Sequence, residues 1–167
     1  MSSKFSVYKI VYDHVNTLYN YDTKKRDKLA IFIDLILPLL IAILLIFFRI
    51  IIMEREFTVI LTAFSVFAAL LLNLMILIYS IVNKEKEKDE GKQDVEKIKL
   101  LKETYENIQF TVLISIIIIV FILLMLFLPF YIYLELILSF VVYYLIFTFI
   151  FTLFMVLKRT HSIMSNE

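Results

Sequence analysis

Cysteine is absent from this chain, glycine occurs once and proline twice. Without cysteine there is no disulfide and no thiolate metal site, although a cysteine-free chain does not identify a compartment. One glycine and two prolines leave little from which to build the interrupted helices and inverted repeat of a secondary transporter. No HExxH, no GxSxG and no glycine-rich phosphate loop is present, and the two histidines, His14 and His161, lie outside the apolar runs. A hydroxyl such as Ser115 has no visible base to activate it. An enzyme is therefore not expected, nor a metal or cofactor.

What is present is hydrophobic. Of 167 residues 62% are apolar, with 16 Phe and 10 Tyr, and the mean hydropathy is +0.90. A soluble domain keeps about half of its residues apolar. Four long runs account for the excess: Leu29 to Ile52, Phe57 to Val82, Phe110 to Phe130 and Tyr131 to Leu157. Each reaches the roughly 20 residues that a helix needs to cross about 30 Å of hydrocarbon. The runs are continuous rather than alternating, which favours helices over a barrel. The sequence predicts an all-α integral membrane protein with four transmembrane helices. Its parts are a cytoplasmic segment 1–28, helices 1 and 2 in 29–82, a charged cytoplasmic hairpin 83–109, helices 3 and 4 in 110–157, and a tail 158–167.

Orientation follows from the basic residues. With both termini cytoplasmic, segments 1–28, 83–109 and 158–167 hold fifteen Lys and Arg, and the outer links hold only Arg49 and Arg55. That asymmetry is a positive-inside signal. The first 28 residues have no apolar core and no small-residue cleavage site, so a signal peptide is not expected. The outer links, MEREF and the LPF/YIY junction, are too short to receive a large external partner.

Two polar segments have helical order. Near the N-terminus Phe5, Tyr8, Tyr12, Val15 and Tyr19 recur at spacings of 3 and 4, an amphipathic helix with an aromatic seam. The seam can lie in the membrane interface or pack on another helix. His14 falls off the seam and is expected to be solvated. In the charged insert Val95, Ile98, Leu101, Tyr105, Ile108 and Val112 form a second stripe that runs into the third span. The simplest geometry extends the second span past the bilayer, turns near Gly91 and returns, forming a helical cytoplasmic collar. A mixed-charge solvated linker is the alternative.

Polar residues within the spans are few and therefore informative. Asp34 lies one and a half turns inside the first span, four residues before Pro38, and is expected to pair with Lys28, Lys158 or Arg159 or to line a vestibule. Ser115, Asn73, Thr148 and Thr152 fall in the inner half, where bonding to their own backbone is a sufficient role for Ser and Thr. Arg49 and Glu135 are close enough in depth towards the outer side to pair. Asp34, Arg49, Asn73, Ser115 and Glu135 are the pore or gate candidates. Four helices in one chain pack too closely to conduct, so a pore is expected between copies in a homo-oligomer, with a tetramer favoured. Bulky apolar residues can close such a pore by keeping it dry.

The strings KKRDKLAIFIDLILPLL, FSVFAALLLNLMILIYSIV, LLKETYENIQFTVLIS and LFMVLKRTH, in this order of spans and charged segments, resemble small four-span membrane effectors of bacterial phage defence. The plan is similar to that of the effectors of CBASS and Hailong systems, in which a nucleotidyltransferase makes a nucleotide signal. The resemblance implies an oligomeric channel or membrane-disrupting effector of the bacterial cytoplasmic (inner) membrane. A nucleotide or oligonucleotide from a partner nucleotidyltransferase would open or close it, and its action would depolarise the cell. No separate ligand-binding domain is recognisable. Phosphates would need cations and bases would favour aromatic faces, so Lys9, Tyr12, Lys24, Lys25 and Arg26 are the ligand candidates. The cluster 24–28 can equally anchor the chain on lipid phosphates. The insert is nearly balanced in charge, which counts against it as the main anion site. A different class remains open: a non-conducting membrane anchor, immunity or partner-docking subunit, in which the polar residues join helices. A holin-like lesion former is a third reading.

Overall fold

In the computed structural model, residues 7–20, 25–26, 28–87, 95–127 and 132–165 are described. The chain is all-helical apart from one two-residue ladder, and four of its helices are long and apolar enough to cross a membrane. In length and composition these four helices are those of a multi-pass membrane protein. Helix α1 (Val7–Thr17) leads into strands β1 (Tyr19–Asn20) and β2 (Lys25–Arg26), paired antiparallel with Tyr19 opposite Arg26. The first span follows as α2 (Lys28–Ile31), a π-helical turn (Phe32–Ile36) and α3 (Leu37–Phe47). The other spans are α4 (Glu54–Lys86), α5 (Val95–Phe127) and α6 (Ile132–Ser165).

The first span departs from a plain helix for a reason visible in its sequence. Pro38 has no N–H to give to the carbonyl of residue 34, and its ring crowds that carbonyl. Upstream the backbone opens into a wider π turn, closed by Leu37 N–H on the Phe32 carbonyl. The expected local break at Pro38 thus takes the form of a bulge that turns Asp34 inward; Asp34 and Pro38 are both buried.

The span also ends sooner than the apolar run suggests. Helix α3 stops at Phe47, and Arg49 takes a left-handed conformation with φ 56°. Arg49 N–H bonds the Ile46 carbonyl at 2.9 Å and Ile50 N–H bonds the Leu45 carbonyl at 3.0 Å, closing the helix end. Glycine normally takes this position. Helix α4 opens with Glu56 accepting the Met53 N–H at 3.0 Å, so the third residue of the helix satisfies a donor that precedes it.

The second, third and fourth spans neighbour one another in chain order, and the first does not neighbour the second. Helix α4 packs along α5, α5 along α6, and α6 along α3, while α1 lies on α5. The first span therefore lies beside the fourth, and no extended packing of α3 on α4 occurs among the described residues, although only residues 48–53 separate them. Phe64, Leu71 and Ile78 of α4, Ile108, Ile118 and Ile122 of α5, and Val142, Phe149 and Val156 of α6 form the core. Phe149 packs edge-on against Phe64 with ring centres 4.9 Å apart. One face of α4 is buried in this way, and its other flank is left at the edge of the bundle.

The stripe of α5 is buried within the chain at Leu101, Ile108 and Val112, and Val95 at its start is exposed. Gly91 and the turn expected there lie outside the described residues, as do Phe5, Lys24 and residues 128–131 between the third and fourth spans.

Candidate functional site

Two arrangements of polar groups stand out, one closed within the chain and one open. The closed one is centred on Asp34. His14 and Asp34 are 2% and 1% exposed. His14 Nε2 lies 2.7 Å from Asp34 Oδ2, and Thr152 Oγ1 lies 3.0 Å from Asp34 Oδ1. On the other side of the ring His14 Nδ1 is 2.9 Å from Asn107 Oδ1, which is also 2.7 Å from Thr17 Oγ1. The imidazole stacks on Phe110 with ring centres 3.8 Å apart and an interplanar angle of 8°. Arg159 then donates from Nη2 to the Thr17 carbonyl at 2.7 Å and faces Glu103 at 3.5 Å. Five side chains from α1, the π turn, α5 and α6 are thereby tied into one knot.

The physical demand behind the knot is simple. A carboxylate removed from water is strongly unfavourable unless donors and a compensating charge meet it. The π turn aims Asp34 at α6 and α1, where Thr152 and His14 meet its two oxygens. The knot also has two proton inventories. If both ring nitrogens of His14 carry protons, Nδ1 donates to the Asn107 carbonyl, and imidazolium and carboxylate neutralise each other. In that arrangement Asn107 Nδ2 is buried without a partner. The Thr17 hydroxyl, with one proton, then faces two acceptors at 2.7 Å, the His14 carbonyl and Asn107 Oδ1. Turning the Asn107 amide over lets Nδ2 donate to both Thr17 Oγ1 and a neutral Nδ1, and frees the Thr17 proton for the His14 carbonyl. The orientation of Asn107 and the charge of His14 are thus coupled through hydrogen-bond count alone.

These contacts correct three expectations. His14 is buried rather than solvated. Asp34 is met by His14 and Thr152 rather than by Lys158 or Arg159, whose guanidinium is taken up by the Thr17 carbonyl and Glu103; the side chain of Lys28 lies outside the described residues. No ion pair joins Arg49 to Glu135 among the described residues: Arg49 sits beyond the helix end, exposed, and Glu135 is half-buried in the first turn of α6.

The open arrangement is on α4. Thr58, Thr62, Ser65, Ala69, Asn73 and Ser80 follow one another at helical spacing, with Ile76 completing the row, and all are exposed. The row runs along the side opposite the buried Phe57, Phe64, Leu71 and Ile78. Asn73, midway along, makes no hydrogen bond among the described residues. An amide facing hydrocarbon without a partner costs several kcal/mol, about 4–8 on a scale with no hydrogen-bonding solvent. Elsewhere the hydroxyls are satisfied locally: Ser115 donates to the Val112 carbonyl at 2.7 Å and Thr148 to the Tyr144 carbonyl at 2.8 Å. At the far end of the bundle Ser139 Oγ accepts the Ile52 N–H at 3.2 Å and ties the link after the first span to α6.

Of the pore or gate candidates, Asp34 and Ser115 are therefore buried inside the chain, and Asn73 faces outward from an edge helix. Of the ligand candidates, Lys9 and Tyr12 are exposed on α1, and Lys25 and Arg26 are described in their backbone alone, as β2. No group of three His, Asp or Glu side chains that could hold a metal occurs among the described residues. Sequence reasoning missed His14, Thr17 and Asn107. A signal existed for His14: it is one turn from Thr17 on the side of α1 away from the aromatic seam, and an acid in an apolar span must find a donor.

Compared with family models, curated proteins and solved structures, the chain matches none.

Proposed function

We propose that the protein is an oligomeric membrane effector in which α4 rows from several copies face one another and line a hydrated path for ions. The observation that carries this reading is the row Thr58, Thr62, Ser65, Ala69, Asn73 and Ser80, exposed along the length of a helix at the bundle edge. Hydroxyls and an amide facing lipid are unfavourable, whereas the same groups facing water or one another are satisfied. A single copy holds no such surroundings for them. Control acts from the end that carries α1, which the excess of Lys and Arg places in the cytoplasm. The knot at Asp34 couples α1 to three spans, so that moving α1 moves them.

The likeness in strings and plan to the effectors of nucleotide-signalling defence supports a role against phage. The output is then depolarisation of the bacterial cytoplasmic membrane, and the controlling ligand a nucleotide or oligonucleotide. Exposed Tyr12 and Lys9 offer a stacking face and a cation for it. A non-conducting docking subunit is favoured by one specific feature, the completeness of the knot, which leaves Asp34 closed to any path.

Membrane potential followed with a voltage-sensitive dye in bacteria expressing the chain tests the reading, with Asn73→Leu beside the wild type at equal membrane abundance. Depolarisation by the wild type that Asn73→Leu reduces severalfold supports an α4-lined path. Depolarisation that Asn73→Leu leaves untouched removes α4 from it. A steady potential, with no ion flux from vesicles holding the purified chain, returns the protein to the docking class.

A further inference from the structure

Helix α1 is tied into the knot on one side only, and its remaining surface has a composition that calls for explanation. At 100° per residue its side chains divide into three sectors whose centres are about 100–135° apart. His14 and Thr17, with half-buried Ile10, meet the protein. Lys9, Asp13 and Asn16 form a polar sector. Between these on the other side lie Val7, Tyr8, Val11, Tyr12 and Val15, all exposed, with Tyr8 77% and Tyr12 54% accessible and their rings stacked at 6.2 Å. The seam positions Tyr8, Tyr12 and Val15 lie on this outward face; the buried face carries His14 and Thr17.

The depth of α1 follows from its partner. Asp34 is five residues beyond Leu29, where the first apolar window begins, so it lies about 7 Å along the helix from the edge of that window. His14, at hydrogen-bonding distance from Asp34, is held at that level and not above it. Thr152 gives the same answer from the fourth span, six residues short of Lys158. A helix held at the edge of the hydrocarbon against the flank of a bundle meets three surroundings: protein, acyl chains with glycerol, and the headgroup layer with water. The three sectors of α1 correspond to them one by one. A second copy would cover the Tyr–Val face but gives no reason for a polar sector standing beside it at this depth.

We infer that α1 is an in-plane interfacial helix whose Val7, Tyr8, Val11, Tyr12 and Val15 face is embedded in the lipid at the boundary of headgroups and acyl chains. Tyrosine is favoured there because its ring is apolar and its hydroxyl reaches polar groups. The lipid is then a partner of α1, and through the His14–Asp34 contact a change in the bilayer at this level bears on the first span. The inference rests on the membrane-spanning reading alone and stands whether or not the protein conducts.

The chain has no tryptophan, so Tyr12→Trp introduces a single reporter at an exposed site. The full chain carrying it would be reconstituted in phosphatidylcholine–phosphatidylglycerol vesicles, using lipids brominated either near the glycerol or near the chain end. Val95→Trp, at the exposed start of α5, is the water-facing reference, and Tyr8→Trp repeats the measurement one turn away. Emission to the blue of the reference, with quenching severalfold stronger from the shallow bromine than from the deep one or from aqueous iodide, is the expected result. Emission and iodide quenching equal to the reference would overturn the inference, because α1 would then face water. It would equally fail if lipid quenching disappeared as the protein-to-lipid ratio was raised, since the face would then belong to a second copy.

Discussion

The knot around Asp34 and the outward row of α4 both contain threonine and asparagine side chains, and these are satisfied in opposite ways. In the knot every ionisable atom meets a partner from another element: His14 from α1, Thr152 from α6, and Asn107 from α5 on the far side of the ring. Along α4 the hydroxyls and the Asn73 amide point away from the bundle. The difference teaches how to tell a polar residue that closes a fold from one that leaves it open. Asn107 and Thr152 of the knot and Asn73 of the row all lie within segments apolar enough to span a membrane, and their surroundings separate them. One set finds its partners within a single chain, Asn107 Nδ2 excepted; the other finds them only with water or another molecule beside it.

The comparison breaks most sharply at Asp34. Asp34→Ala leaves His14 and Thr152 buried without their acceptor, and breaking a buried pair from one side costs about 3–5 kcal/mol. Unfolding in detergent mixtures should register that loss. His14→Ala combined with it should cost well under the sum of the two, the mark of a shared contact. Additive losses would mean that the two residues do not act as a pair.

A smaller effect is expected on α4, and in a different observable. Asn73→Leu should leave the unfolding of the single chain unchanged while weakening self-association, by about 0.6–2 kcal/mol for each hydrogen-bonded pair lost. Dilution in lipid followed by crosslinking or energy transfer would measure it. Unchanged association would detach the row from any contact between copies.

The smallest change belongs to neither region. Arg49 holds a left-handed conformation, which costs a residue with a Cβ about 1 kcal/mol. Arg49→Gly should therefore stabilise the turn between the first two spans by up to that amount in the same unfolding measurement. A loss of stability would show that the guanidinium anchors this end of the bundle at the membrane surface more strongly than its backbone is strained.

Much of the architecture was legible in the residues. Four continuous apolar runs dictate four long helices because every backbone group must be bonded within the segment where no water is present. The local break before Pro38 and the back-bonding of Ser115 and Thr148 were also foreseeable, since each depends on groups within one helical turn. The knot was not. It joins residues 14, 17, 34, 107 and 152, and such pairings across sequence depend on which helix lies beside which. The first span lies against the fourth, although only a short link separates it from the second. The aromatic seam of α1 showed the period of the helix correctly but not which face would meet the protein.

By itself the sequence determined the class, the number of spans and the positions of the scarce polar groups within them, because transfer from water and helical period are properties of single segments. Only the tertiary structure decided that Asp34 and His14 would meet inside the bundle while Asn73 stayed on its edge. That choice depends on how the π turn rotates one side chain and on which helix flanks remain uncovered once all four have packed.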